Sequence, residues 1–248
     1  MVLIDFQTAL GRLLRARRDD DLMRGVQLDE TENQYIQDLR KTAGFRVCAN
    51  IQRSWCIGRA AKSAQLTLSL IPRDRRQVIL EDWVDSGGGT HSFFEVEAEA
   101  FLDFVGKHLS DPSHELTVCQ FEQATLRANQ GISFFAIPDS GRLTDPDCLL
   151  RRGSYAGLVR FYAEPGRLLD SLQNHEPLPV MSSEAMLVMF SPGLPQLWHE
   201  PKPEEVDLWE VLASPRSVGT LWRNGHAPET VKRLLALGSI EYADRVAH

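Results

Sequence analysis

The spacing of apolar residues changes near Gly131, and this change constrains the fold more than any other feature of the chain. Before Gly131, apolar residues recur every three or four positions, as Phe101, Phe104 and Val105 do, which predicts amphipathic helices. After it, short aromatic-rich runs over 132–137 and 155–162 end at proline and glycine, which is typical of strands. The sequence therefore predicts an α+β protein, with an all-helical domain over residues 1–130 and a small mixed α/β domain over 131–248.

Seven helices are predicted in the N-terminal domain. Asp29 and Glu32 have the spacing of a capping box at the start of the second helix. Pro72 ends the fourth helix, because proline cannot continue a hydrogen-bonded helical turn. The Ser-Asp-Pro sequence at 110–112 separates the last two helices, whose apolar residues lie around Phe101 and Phe121.

The C-terminal domain is predicted to contain an antiparallel sheet and a winged-helix-like module. The runs 186–190 and 194–198 flank a Ser-Pro-Gly turn and are interpreted as a hairpin. Three helices follow, near Val206, Val218 and Pro228, and a last strand is predicted at Ile240. Modules of this kind either read DNA or hold peptides by strand addition, so both functions stay open at this point.

Composition excludes several classes of protein. The chain has 248 residues and a formal net charge of -7, which disfavours binding to nucleic acid. No apolar run approaches the roughly 20 residues that cross a bilayer, so no membrane association and a cytoplasmic location are expected. Four cysteines without a CxxC pair are interpreted as buried structural thiols.

The sequence contains no constellation that supports catalysis. His108 and His114 lack a third ligand at metal-binding spacing and are interpreted as exposed loop histidines. The alternating acids Glu95, Glu97 and Glu99 are interpreted as a solvated first helical turn. We therefore expect no catalytic residue, no metal site and no cofactor in this chain.

Three stretches of the sequence carry a family resemblance. They are DFQTALGRLL near the start, FLDFVGKHLSDPSHELTVCQFEQATLRA in the middle, and LWEVLASPRSVGTLW with VKRLLALGSI near the end. In this order the chain resembles the MbnC-like partner proteins of methanobactin biosynthesis, within the wider HvfC/BufC-type family. The resemblance covers most of the chain and depends on apolar patterns.

The resemblance implies a non-catalytic subunit of a heterodimeric, iron-dependent peptide-modifying oxidase. Its partner would be an MbnB-like TIM-barrel enzyme, which holds the iron and uses dioxygen to turn precursor cysteines into oxazolone and thioamide groups. The chain would bind the leader of an MbnA-like precursor peptide and present its cysteines to that enzyme. The product of such a pathway is a ribosomally made copper chelator.

Candidate leader-binding residues follow from physical reasoning and are not carried over from the family. Strand addition needs an unpaired strand edge, and acids suit a basic leader, although the same strands could simply be core strands. The candidates are Phe134, Phe135, Leu158, Arg160, Tyr162, Val188, Phe190, Glu204, Glu205 and Asp207. Two alternative functions remain, a DNA-binding transcriptional regulator and a protein–protein adaptor without a peptide substrate.

Overall fold

A computed structural model describes residues 3–15, 25–90 and 94–243. The fold is mixed α+β, with helices dominating the N-terminal part and two small antiparallel sheets toward the C-terminus, so the predicted fold class is confirmed. The chain divides into two compact units, Met1–Leu109 and Ser110–His248. The domain boundary predicted at residue 130 stays a prediction.

The first unit is helical throughout its described residues. The predicted capping box is present, since the Glu32 N–H donates to Asp29 Oδ1 at 2.8 Å and the Asp29 N–H donates to Glu32 Oε2 at 3.0 Å. Thr42 caps the next helix by accepting a hydrogen bond from the Phe45 N–H at 3.2 Å. The helices are α1 (Leu3–Leu13), α2 (Glu30–Lys41), α3 (Ala43–Ser63), α4 (Gln65–Leu70), α5 (Arg73–Asp85) and α6 (Phe94–Gly106).

Helix α3 forms the centre of this unit, where it packs against α2, α5 and α6. The indole of Trp83 lies 5.5 Å from the Phe101 ring and 5.4 Å from the Phe104 ring, measured between centroids. The guanidinium of Arg53 is buried and bonds to the Asp85 carboxylate at 2.5 Å. A buried cation is tolerated here because this carboxylate neutralises it.

Glu97 is not the solvated residue that the sequence predicts. Its side chain is 2% exposed and lies 3.6 Å from the guanidinium of Arg59. Residues four apart share a face of a helix, so Glu97 faces the same core as Phe101. The alternation of acids in the sequence does not reveal which face a tertiary contact will cover.

The second unit holds the remaining helices and all the described strands. Its first sheet has the order β5-β1-β6 and its second the order β2-β3-β4, both antiparallel. Two of these strands, β1 (Leu149–Arg152) and β5 (Arg216–Ser217), were not predicted from the sequence, because they are short and rich in arginine. The elements are α7 (His114–Ile132), a 3-10 turn (Ser140–Thr144), β1 (Leu149–Arg152), β2 (Gly157–Phe161), α8 (Pro165–Asn174), β3 (Met186–Phe190), β4 (Trp198–His199), α9 (Pro203–Val211), β5 (Arg216–Ser217), α10 (Val218–Arg223), α11 (Pro228–Leu237) and β6 (Ile240–Tyr242).

Helix α7 packs against β2 and β3. The Phe121 ring makes edge-to-face contacts with Phe161 and Phe190, at centroid distances of 6.1 and 5.7 Å. A second apolar cluster joins the β5-β1-β6 sheet to the last three helices, around Leu150, Met189 and other buried residues. The order α9, β5, α10, α11, β6 agrees with the predicted order of helices and last strand, while the winged-helix-like description stays a prediction.

The prediction of a strand over residues 132–137 is wrong. Helix α7 continues to Ile132, and the N–H groups of Phe134 and Phe135 then donate to the Gly131 carbonyl, which turns the chain. The predicted hairpin is present, although its second strand begins only at Trp198. No helix in the described ranges is long and apolar enough to cross a membrane.

Candidate functional site

The outer edge of β2 is the best candidate for a binding site. β2 lies at one edge of its sheet and pairs with β3 through Val159 and Val188. The Arg160 carbonyl faces away from β3, because it accepts a hydrogen bond from Thr117 Oγ1 at 3.1 Å. Backbone groups alternate between the two sides of an antiparallel strand, so the N–H and C=O of Leu158 and Arg160 point to the outer edge.

Three of these four outward groups have no partner in the described residues. Within the described part of the chain, the N–H and C=O of Leu158 and the N–H of Arg160 have no hydrogen bond. Farther along, the Tyr162 carbonyl accepts from the Ser182 N–H at 2.6 Å, which covers the edge from that point. The free edge is therefore short and consists of the N–H and C=O of Leu158 and the N–H of Arg160, two of the residues that the sequence singles out.

A small polar groove lies at the Tyr162 end of this edge. Its volume is about 60 Å³, and Arg160 forms part of its wall, so the groove adjoins the free edge. Asp111 supplies one carboxylate and Arg160 one guanidinium among the lining residues, so the groove suits a polar side chain. The lining residues are Asp111, Ser113, Leu116, Thr117, Gln120, Arg160 and Tyr162.

An exposed pair of aromatic rings lies at the other end of β2. Phe134 stacks on Tyr155 with a centroid distance of 6.1 Å and an interplanar angle of 13°. Tyr155 precedes the first residue of β2 by two positions, and Phe134 is 76% exposed. An apolar side chain of a bound peptide could cover this surface, which we call the aromatic pair.

Phe135 holds the loop that carries Phe134. A Cβ added at Gly193 or at Gly238 would lie 2.7 Å from the Phe135 ring, so the ring occupies the space that the two glycines leave. Gly238 also needs its left-handed backbone, with a φ of 72°, because it caps α11. Phe135 is therefore a packing residue, and its neighbour Phe134 is the one that faces solvent.

Tyr242 fixes the far end of the same loop. Its hydroxyl donates to the Asp139 carbonyl at 2.7 Å, and the Arg142 guanidinium lies 4.2 Å above its ring. Burial raises the pKa of the Tyr242 phenol above its ordinary value. The segment between Phe135 and Asp139, which precedes the 3-10 turn, is thus held in place although it has no regular secondary structure.

Val188 and Phe190 do not offer the free edge that the sequence analysis assigned to them. They lie on β3, which is the central strand, and both face β2 partners in the sheet register. Their side chains are fully buried, and Phe190 packs beneath Phe121. These two residues belong to the core that holds β2 in place.

The three acids of α9 have different environments. Glu204 and Asp207 are exposed, and Asp207 lies 3.6 Å from His226. Glu205 is buried, and its carboxylate accepts a hydrogen bond from the Lys202 N–H at 2.9 Å. The same carboxylate lies 3.4 Å from His199 Nε2 and 3.1 Å from Arg233 Nε. Glu205 thus stabilises the start of α9 and cannot face a leader peptide.

Two residues that cover part of the β2 edge were not predicted from the sequence. Thr117 bonds to the Arg160 carbonyl and Ser182 to the carbonyl of Tyr162, the residue after β2, and nothing in their local sequence predicts those partners. His114, predicted to be exposed, is buried at the first turn of α7, where Nε2 lies 2.8 Å from the Pro179 carbonyl. That contact joins the 177–182 segment to the start of α7.

All four cysteines are free thiols, and three are buried as predicted, whereas Cys48 is exposed. Burial raises the pKa of the Cys56 thiol. In the part of the chain that the structure describes, no three His, Cys, Asp or Glu side chains form a group that could hold a metal ion.

The resemblance to MbnC-like proteins stays a prediction that depends on the three quoted stretches. No protein-family model, no curated protein and no solved structure matches the chain.

Proposed function

We propose that this chain is the non-catalytic partner subunit of an MbnB-like iron enzyme of the cytoplasm. It binds the leader of a ribosomally made precursor peptide as an added strand on the outer edge of β2. It thereby presents the precursor cysteines to the enzyme, which forms the oxazolone and thioamide groups of a methanobactin. The iron belongs to the partner enzyme, and this chain supplies binding and orientation.

The unpaired N–H and C=O of Leu158 and the unpaired N–H of Arg160 are the observation that carries this proposal. Strand addition obtains affinity from main-chain hydrogen bonds and specificity from pockets at the two ends. Here the aromatic pair and the polar groove flank the free edge. At about 3.3 Å per residue, an extended peptide of roughly seven residues would reach from Tyr155 to Tyr162.

These positions predict the character of the leader. An apolar residue would cover Phe134 and Tyr155, and a polar residue would enter the groove that Asp111 and Arg160 line. The exposed acids Glu204 and Asp207 would add long-range attraction for a basic leader, which raises the association rate more than the affinity.

Arg160→Pro tests the proposal directly. Proline removes the outward N–H, while the Arg160 side chain is exposed and its loss costs little packing. Arg160→Val is the matched control, because valine keeps the N–H and suits a strand. With a fluorescent synthetic leader, anisotropy should give a Kd at least about tenfold weaker for the proline variant and within about threefold for the valine variant.

The opposite result would refute strand addition. If Arg160→Pro binds the leader as tightly as the unsubstituted chain, β2 is not the binding edge. If the unsubstituted chain binds no leader but still associates with the barrel enzyme, the adaptor function replaces the proposed one.

The alternative of a DNA-binding regulator has weaker support. The helix α11 that would read the groove carries Lys232 and Arg233, and both lie beside acids of this chain, Glu229 at 3.0 Å and Glu205 at 3.1 Å. Phosphate contacts need basic side chains that acids of the same protein do not neutralise. Salt-dependent binding to duplex DNA in a gel-shift series would favour the regulator.

A further inference from the structure

The segment that follows α8 covers one end of the β2 edge. Residues 177–182, which we call the strap, have no regular secondary structure. The Ser182 N–H donates to the Tyr162 carbonyl at 2.6 Å, and the Pro179 carbonyl lies 2.8 Å from Nε2 of His114. Within the described residues, these are the only two hydrogen bonds that join the strap to parts of the chain distant in sequence.

Apolar packing adds little to these two anchors. Every residue of the strap is exposed except Pro179, which is partly buried. The side chain of Val180 is 91% exposed, and those of Leu178 and Met181 are exposed as well. Local opening needs the least free energy where a segment has few apolar contacts and few hydrogen bonds. The strap therefore lifts at a much lower cost than the sheet unfolds.

The His114 anchor is only partly satisfied. A carbonyl can only accept a hydrogen bond, so Nε2 of His114 carries the hydrogen and donates it to Pro179. Nδ1 of the same ring is then an acceptor, and it is buried without a hydrogen-bond partner in the described structure. A buried acceptor without a partner is unfavourable, so the closed strap is held less firmly than two fully satisfied anchors would hold it.

The strap lies where an added strand would bond next. Leu158, Arg160 and Tyr162 are two positions apart, so their outward backbone groups form one row along the edge. The unpaired groups of this row belong to Leu158 and Arg160, whereas the Tyr162 carbonyl is bonded to Ser182. A peptide that continues along the row beyond Arg160 therefore competes with the strap for the position at Tyr162.

We infer that the strap is a displaceable cover, which closes the Tyr162 end of the edge in the free chain and is released when the leader adds as a strand. This inference rests on the proposed function, because the leader is the competing strand. The strap makes binding depend on the length of the extended segment. A peptide that stops at Arg160 leaves the Ser182 bond in place, whereas a longer peptide replaces it.

Hydrogen exchange of the Ser182 amide tests the release directly. The exchange is followed by NMR in the full chain, first alone and then saturated with the same synthetic leader that the Arg160 variants are tested with. Release should speed the exchange of this amide by about tenfold or more, because the amide loses its hydrogen bond. The amide of Leu172, inside α8, is the internal reference and should not change.

Substitutions at the anchors give a second readout. Ser182→Pro removes the donor N–H, so the leader no longer has to displace that bond, and the leader Kd should be about fivefold tighter. Ser183→Pro is the matched control, because the Ser183 N–H has no hydrogen bond within the described part of the chain, and it should leave the Kd within about twofold. His114→Leu removes the second anchor and should tighten the Kd by about the same factor as Ser182→Pro.

The outcomes separate the two proposals. If the leader binds, the Ser182 amide exchanges no faster and neither anchor variant tightens the Kd, the strap is a fixed end of the site. The inference is then overturned and the proposed function stands. If only the two anchor variants bind the leader, the strap closes the edge in the free chain and both proposals are supported. If neither the unsubstituted chain nor the anchor variants bind the leader, both proposals are overturned.

Discussion

Phe134→Ala should impair leader binding and leave the fold nearly intact. Full burial of a phenylalanine side chain stabilises a fold by roughly 1.5–3 kcal/mol. Phe134 is 76% exposed, so its burial in the free chain contributes only about a quarter of that free energy. With the partly exposed stacking on Tyr155, the expected loss in the free energy of unfolding is about 1 kcal/mol or less. Phe121→Ala is the contrasting variant, since Phe121 contacts Phe161 and Phe190, and it should cost about 2–4 kcal/mol.

The effect of Phe134 on binding can be worked from the same exposure. A phenylalanine has about 200 Å² of side-chain surface to bury, so roughly 150 Å² remains free, worth up to about 4 kcal/mol at 25 cal/mol per Å². If a leader covers half of it, Phe134→Ala should weaken the Kd by about 25-fold. Urea denaturation and leader anisotropy measure the two effects. Unchanged leader binding, or a loss of stability as large as that of Phe121→Ala, would refute the role of the aromatic pair.

Three further predictions concern stability. Glu205→Ala should lower the free energy of unfolding by about 2 kcal/mol in urea titrations, because the start of α9 loses its buried acceptor. Glu204 is exposed, so Glu204→Ala should change that free energy by less than about 0.5 kcal/mol. Equal losses in the two variants would contradict the assigned environments. Gly153→Ala should lower the thermal midpoint by several degrees, since a Cβ there would overlap the Gly238 carbonyl, and an unchanged midpoint would be evidence against this close approach. Burial raises the pKa of the Cys56 thiol above 9.0, so the folded chain holds this proton more tightly than the unfolded chain. The protonated thiol therefore contributes its full stability below pH 9.0, and this contribution is lost as the pH rises above that value. In urea titrations between about pH 8 and 10.5, Cys56→Ala should flatten the decline of the free energy of unfolding with pH.

Several elements could be predicted from the sequence because local chemistry determines them. The Asp29–Glu32 capping box and the Pro228 start and Gly238 end of α11 all lie where the residue types require them. The strand β2 lies within the run 155–162, which has the composition of a strand. Whether that strand would lie at an edge was not contained in the composition.

Other features required the tertiary structure. The aromatic run at 132–137 has the composition of a strand, yet Phe135 packs against Gly193 and Gly238, which lie far away in sequence. Glu97 and Glu205 are both acids in first helical turns, where solvent exposure is the usual outcome, and each is buried by elements that the local sequence does not specify.

The sequence by itself therefore determined the fold class, most of the helices and the position of the strand that offers the free edge. These depend on periodicity and capping, which act over a few residues. The tertiary structure alone decided which acids are buried and which strand lies at an edge, because both depend on contacts between residues that are distant along the chain.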